Sequence, residues 1–153
     1  MFEKITDEIV FSMPNGGFLL IEPEVIVVLK KYRQKESNDV EQGGILIGEY
    51  RGKHIRISSV TEPSNYDDAT RFSFFRKAKS HFKVAIKSWL LSSKTSTYLG
   101  EWHTHPEHIP NPSSIDLNSW KSNLPNRPMV LVIIGITENW WGIHENYKTK
   151  KLT

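Results

Sequence analysis

Residues 98–116 read YLGEWHTHPEHIPNPSSID, and this stretch decides the fold because it joins a strand to a helix. Residues 98–105 have the pattern of a strand. Three prolines lie in the seven residues from Pro106 to Pro112, so the strand cannot continue there. A helix is predicted from about Ser114 to Asn123.

The same stretch contains a candidate metal site. Residues two apart in a strand point to the same face, so His103 and His105 present two imidazoles side by side. Asp116, at the start of the next helix, can complete a three-ligand set across the proline loop. Two neutral imidazoles and one carboxylate suit zinc, and they leave a fourth position for water, as in catalytic sites.

Each half of this pattern also has a structural interpretation. A His-x-His pair in a strand can simply be a half-exposed polar face. Ser113-x-x-Asp116 also matches a helix N-cap with its capping box. The cap and the ligand are compatible, because the cap orients the helix whose first turn carries Asp116.

The rest of the chain predicts a sheet with helices. Met129 begins the most hydrophobic run, 129–136, which predicts a central strand, and 61–70 is polar and predicts a loop. The other predicted strands are Phe18–Ile21, 45–47, His54–Val60 and a last strand over 140–147. One helix is predicted from Pro23, and a second, of about four turns, from the periodic apolar residues Phe75, Ala78, Phe82, Ala85, Ile86, Trp89 and Leu90. Because strands and helices do not strictly alternate, we expect an α+β (mixed α/β) single domain covering residues 1–153.

Composition narrows the class of protein. Hydrophobic residues make up 38% of the 153 and charged residues 24%, which is typical of a globular domain and argues against disorder. The net charge is only +3 and dispersed, so a nucleic-acid partner is not expected, and Lys148, Lys150 and Lys151 are interpreted as a solvated tail.

The chain has no cysteine, so any metal ligands must be His, Asp or Glu. No leader peptide or membrane span is recognised, and we expect a cytoplasmic protein without membrane contacts.

A hydrolytic metal site also needs a base. Glu41 lies just before the predicted buried strand that follows Gly43 and Gly44. By position alone, Glu41 cannot be preferred over Glu101 or Glu107.

The layout resembles the JAMM (JAB1/MPN/Mov34) metalloproteases, whose motif is a Glu, a long gap, His-[Ser/Thr]-His, seven residues, and Ser-x-x-Asp. This chain has the same spacing from His103 to Asp116, and its residues 41–44 match the family's Glu-x-x-Gly opening, which selects Glu41. The resemblance covers roughly residues 18–144. It implies a central, mostly antiparallel sheet flanked by helices.

The resemblance also implies roles for single residues. His103, His105 and Asp116 would bind Zn²⁺, Glu41 would be the general base, and Ser113 would donate a hydrogen bond to the oxyanion. The 61–70 loop is a candidate flank of the substrate, by analogy with insertions in the family.

A closer similarity is to the small prokaryotic JAB proteins of type II CBASS anti-phage operons. It is carried by GGILIGEYRG (43–52), RFSFFRK (71–77), YLGEWHTHPE (98–107), PSSIDLNSW (112–120) and RPMVLVIIG (127–135). The resemblance implies a zinc isopeptidase that releases a cGAS-like nucleotidyltransferase, through its C-terminal tail, from target proteins to which an E1/E2-like enzyme has joined it. A different ubiquitin-like or sulfur-carrier substrate, or a non-catalytic zinc-containing binding module, remains an alternative.

Overall fold

In the computed structural model, residues 7–64, 67–71, 73–76 and 80–153 are described. The strands are β1 (Ile9–Ser12), β2 (Phe18–Ile21), β3 (Gly43–Arg51), β4 (His54–Val60), β5 (Asp68–Thr70), β6 (Ser73–Phe75), β7 (Thr97–Thr104), β8 (Met129–Ile134), β9 (Asn139–Glu145) and β10 (Lys148–Lys151). The helices are α1 (Pro23–Lys30), α2 (Ser80–Leu91) and α3 (Ser114–Asn123).

One large sheet organises the described part of the chain. Its strand order is β1-β2-β4-β3-β7-β8-β9-β10, and β5 and β6 form a separate hairpin. Within the large sheet, β2–β4 and β7–β8 are parallel and the other neighbouring pairs are antiparallel. The predicted α+β class, with a mostly antiparallel sheet and flanking helices, is confirmed.

The central strand β8 is buried on both faces of the sheet. Val132 belongs to the apolar cluster that contains Ile26 of α1. Ile133, the next residue, points the other way and belongs to the cluster that contains Trp120 of α3. An uninterrupted apolar run is therefore what this position requires, since each side chain meets a covered face.

Several sequence-based boundaries agree with the structure. Strands β2 and β4 and helix α3 begin and end as predicted, and β7 is shifted by one residue. Pro23 occupies the first turn of α1, where its missing N–H has no helical partner to lose.

The predicted start of the second helix is wrong. Phe75 ends β6, which pairs with β5, so this segment hydrogen-bonds across a hairpin and is not helical. Ala78 lies outside the described residues, and α2 begins at Ser80.

The apolar stripe of α2 is also largely uncovered. Phe82, Ile86 and Leu90 are 47%, 59% and 61% exposed, whereas His81 and Ala85 are buried. Periodicity reports how apolar residues are spaced along a helix, but it does not report whether another element covers them.

Two edge strands and a hairpin were not predicted. Residues 140–147 are not the last strand, because Asn146 and Tyr147 adopt positive φ angles of 53° and 61° and reverse the chain into β10. Lys148, Lys150 and Lys151 therefore do not form a tail: their backbone belongs to strand β10, although their side chains are exposed to solvent. Strand β1 was missed, and the predicted 61–70 loop ends in β5.

Among the described residues, no helix has the length and apolar character needed to span a membrane.

Candidate active site

Strand β7 ends at Thr104, so it places His103 at its penultimate position and His105 directly after it, at one end of the sheet. His103 lies opposite Gly43 of β3 and Ile133 of β8. Trp102, the residue before His103, turns to the other face, where it is 1% exposed and its Nε1 donates to the carbonyl oxygen of Thr61 at 3.0 Å. The alternation of the strand thus buries the indole in the core and leaves the imidazole of His103 in a cleft.

The first turn of α3 places Asp116 beside these histidines. Ser113 is the N-cap, and the capping box is complete. The Ser113 N–H donates to Oδ2 of Asp116 at 2.8 Å, and the Asp116 N–H donates to Oγ of Ser113 at 3.1 Å. In that bond the hydroxyl oxygen accepts, so the hydroxyl hydrogen of Ser113 is not used by the cap.

Three ligand atoms converge at this point. Nε2 of His103 lies 3.0 Å from Nε2 of His105. Oδ1 of Asp116 lies 3.3 Å from Nε2 of His103, and Oδ2 lies 3.1 Å from Nε2 of His105. Ligands about 2.0–2.1 Å from a tetrahedral zinc ion are separated by about 3.3 Å, so these spacings and the N/N/O donor set fit such an ion.

The electrostatics of the cluster favour a cation. Burial opposes ionisation of Asp116, but hydrogen bonds from His103 and His105 hold the pKa of its carboxyl well below the usual range. Burial likewise disfavours a charged His105, yet its hydrogen bond to Asp116 and the neighbouring carboxylates raise the pKa of its imidazole. The same negative charge that favours a protonated His105 and an ionised Asp116 would also favour a bound cation.

Glu41 is buried beside the cluster. It is 5% exposed, its Oε1 lies 3.9 Å from Nε2 of His105, and its N–H donates to the carbonyl oxygen of Thr70 at 2.6 Å. Burial, opposed in part by the charge of His105 and supported by that of Asp116, raises the pKa of Glu41 to about 7. A carboxyl with a pKa close to neutrality can both take up and release a proton under ordinary conditions.

The two rival carboxylates have other partners. Oε1 of Glu107 lies 2.8 Å from Nδ1 of His105, the ring nitrogen that faces away from the cluster. Oε1 of Glu101 accepts a hydrogen bond from Arg76 at 3.0 Å. The positions of the three carboxylates therefore favour Glu41 as the candidate base, a choice that sequence position alone could not make.

Gln34 was missed by the sequence analysis. It is 1% exposed, and its Oε1 accepts from the hydroxyl of Thr104, between the two histidines, at 2.9 Å. Its Nε2 donates to the carbonyl oxygens of Asp39 at 3.1 Å and Arg71 at 2.9 Å. One buried amide thus ties β7 to the segment before β3 and to the β5–β6 hairpin, and no local sequence signal marks it.

The β5–β6 hairpin forms one wall of the cleft. Phe74 lines the cleft together with Glu41, His103 and Asp116. A Cβ at Gly43 would lie 2.7 Å from the Phe74 ring, so this approach requires glycine. Of the predicted flank, Asn65 and Tyr66 lie outside the described residues.

Known structures share this fold. A solution structure of a Desulfitobacterium hafniense protein superimposes with a TM-score of 0.60, over 86% of this chain and 87% of that one, at 20% identity.

Relatives in sequence cover nearly the whole chain. A protein of Escherichia coli named CD-NTase/cGAS isopeptidase is 37% identical over 147 residues, which is 95% of this chain and 94% of the relative. A Vibrio cholerae protein of the same name is 36% identical over 139 residues, covering 90% and 89%. The family model described as prokaryotic homologs of the JAB domain matches residues 26–144. The chain therefore belongs to the prokaryotic JAB-domain family of JAMM-type hydrolases, as the sequence motif predicted.

Proposed function

We propose that this protein is a zinc isopeptidase in which His103, His105 and Asp116 hold the metal ion. The observation that carries the proposal is the convergence of these three side chains, whose ligand atoms all lie within 4.8 Å of one another. Bound there, zinc would supply Lewis-acid chemistry, acidifying a water molecule and polarising the scissile carbonyl.

The remaining chemistry falls to Glu41 and Ser113. The buried carboxylate of Glu41 accepts a proton from the attacking water and later transfers it to the departing lysine amine. The hydroxyl of Ser113 donates to the oxygen of the tetrahedral intermediate, a contribution for which a single donor typically accounts for about 10²–10³ in rate. No cysteine is needed, since the acyl group is not transferred to the protein.

We further propose that the substrate is a CD-NTase, a cGAS-like nucleotidyltransferase, joined through its C-terminal tail to a lysine of another protein. The names of the E. coli and V. cholerae relatives support this substrate class. The cleft supports the shape of the substrate, because it runs between the β5–β6 hairpin and α3 and suits an extended peptide better than a folded surface.

The test is cleavage of a CD-NTase fused through its last residue to a reporter protein. Zinc-loaded wild-type protein should cut at the junction, and a chelator should stop the reaction until zinc is returned. Glu41→Gln should lower the rate about 10²–10⁴-fold, because the proton acceptor is removed while the side-chain shape is kept.

Glu24→Gln is the matched control, since Glu24 is exposed on α1 and should retain the wild-type rate. Cleavage of other ubiquitin-like tails but not of the CD-NTase would overturn the substrate assignment alone. Zinc uptake without cleavage of any tail would overturn the isopeptidase and indicate a binding module.

A further inference from the structure

A second polar group lies in the same cleft, beyond the candidate metal ligands. Glu101 precedes His103 by two residues on β7, so both side chains point to the same face of the sheet. Arg76 directly follows the β5–β6 hairpin, which forms one wall of the cleft, and from there its side chain reaches Glu101 on β7. Arg76, Glu101 and His103 all line the cleft.

The guanidinium of Arg76 is held in a fixed orientation. Its Nη1 donates to Oε1 of Glu101 at 3.0 Å, and the hydroxyl of Tyr98 donates to the same oxygen at 3.1 Å. The guanidinium carbon lies 5.0 Å from the ring centre of Phe82 and 5.9 Å from that of Tyr98. Burial, with the charge of Glu101, raises the pKa of the Tyr98 phenol, so the phenol remains a donor at neutral pH.

This arrangement leaves an excess of donors. Glu101 accepts from two side chains, whereas arginine carries five N–H groups and Glu101 takes one of them. Within the described ranges, Nε of Arg76 is buried without a hydrogen-bond partner. The Arg76 side chain is 18% exposed, so part of it remains accessible from the cleft. Nε itself does not reach the cleft, but the Nη hydrogens that Glu101 does not accept can donate to a ligand there, which points to a role in binding.

We propose that Arg76 binds the substrate tail by donating to the main-chain carbonyl of its third residue from the C-terminus, two residues before the one whose carbonyl is cleaved; this rests on the proposed function. An extended peptide advances about 3.3 Å per residue, so two residues of a tail alongside β7 match the two-residue step from His103 to Glu101. The acceptor belongs to the tail, because the leaving lysine presents only its methylene chain near the scissile bond. Phe82 and Tyr98, which flank Arg76, are carbon-rich surfaces against which the tail side chains pack.

The experiment is a tail-length series. Synthetic substrates carry the last two, three or eight residues of a CD-NTase tail joined to the ε-amine of Nα-acetyl-lysine amide, and kcat and KM are measured for each. Only tails of three or more residues contain the proposed carbonyl. Arg76→Met should therefore raise KM about tenfold or more for the three- and eight-residue tails, with kcat nearly unchanged. For the two-residue tail, the variant and the wild type should be equal.

Arg76→Lys guards against misfolding, because it keeps the positive charge but not the planar guanidinium; it should show the same length dependence with a smaller effect. Arg51→Met is the matched control, since Arg51 pairs with Glu49 on the surface and should match the wild type on every tail. An Arg76 effect that is equal at all lengths, or absent, would overturn this inference alone. Failure of the wild type to cleave any tail would overturn the proposed function and this inference with it.

Discussion

Glu41 combines a buried position with an ionisable side chain, and this has a consequence for stability. In the metal-free protein its pKa is about 7, against an ordinary value of 4.5, so between these pH values the folded state binds more protons than the unfolded state. The contribution of Glu41 to the free energy of unfolding should therefore fall as pH rises from about 4.5 to about 7, by up to about 3 kcal/mol, and be constant above that. Glu41→Gln should lack this decline.

This pH dependence can be measured by urea denaturation at pH 5 and pH 8, with a chelator present to keep the protein free of metal. The difference in stability between the two pH values should be smaller in Glu41→Gln than in the wild type, and Glu24→Gln should match the wild type. Equal pH dependence in all three proteins would contradict a buried, proton-binding Glu41.

Glu107 acts on the candidate metal site through His105. Its carboxylate lies 2.8 Å from Nδ1 of His105 and so fixes which nitrogen faces Asp116. A carboxylate that hydrogen-bonds the free ring nitrogen of a metal-ligating histidine typically contributes about 10–100-fold to metal affinity. Glu107→Ala should weaken zinc binding by about that factor in a competition titration with a chromophoric chelator, and Glu107→Gln, which keeps an acceptor oxygen, should weaken it less. Glu138→Ala, an exposed carboxylate nearby, is the control; equal affinities for all four proteins would refute the role.

At the scale of elements, Gln34 joins three segments around the site. Gln34→Leu keeps the approximate volume but removes the partner of the Thr104 hydroxyl and of two backbone carbonyls. We expect the free energy of unfolding to fall by roughly 2–4 kcal/mol in denaturant titrations, since the buried Thr104 hydroxyl loses its acceptor and two part-buried carbonyls lose the amide donor of Gln34. Lys35→Leu, at the exposed neighbouring position, should change it by less than about 0.5 kcal/mol. Similar stabilities for the two variants would mean that the amide bonds contribute little.

Helix α2 offers a second comparison between adjacent positions. Ala85 is 9% exposed and packs with Ile45 and Ile47, whereas Ile86 is 59% exposed. Ala85→Lys should lower the melting temperature by several degrees, because a lysine would have to displace this contact. Ile86→Lys should lower it by no more than about a degree, since the side chain leaves no packed environment. The reverse order would indicate that the apolar stripe is covered in solution.

The elements that the sequence predicted are those with local causes. Helix α3 follows from Ser113 and Asp116, which cap it, and β8 from an apolar run that suits a strand covered on both faces. The hairpin of β5 and β6 depends on pairing between Asp68 and Phe75, and the role of Gln34 depends on Thr104, seventy residues away. Strands of three residues are too short to show a periodic pattern, and a contact across seventy residues leaves none, so the walls of the cleft could not be predicted as its motif residues were.

At the scale of the whole molecule, the candidate site exists only because the sheet is assembled. Glu41 and His103 are brought together by the register of β3 against β7, and Asp116 by α3 on the same face. Metal binding should therefore stabilise the folded protein, by about 4 kcal/mol when free zinc is a thousand times its dissociation constant.

Metal stoichiometry by native mass spectrometry after zinc loading and desalting tests the central claim most directly. The wild type and Glu41→Gln should each retain one zinc ion per chain, because Glu41 is not assigned as a ligand. His103→Ala and Asp116→Ala should retain none while remaining folded by circular dichroism. Zinc retained by both ligand variants, or no zinc in the loaded wild type, would contradict a metal centre formed by His103, His105 and Asp116.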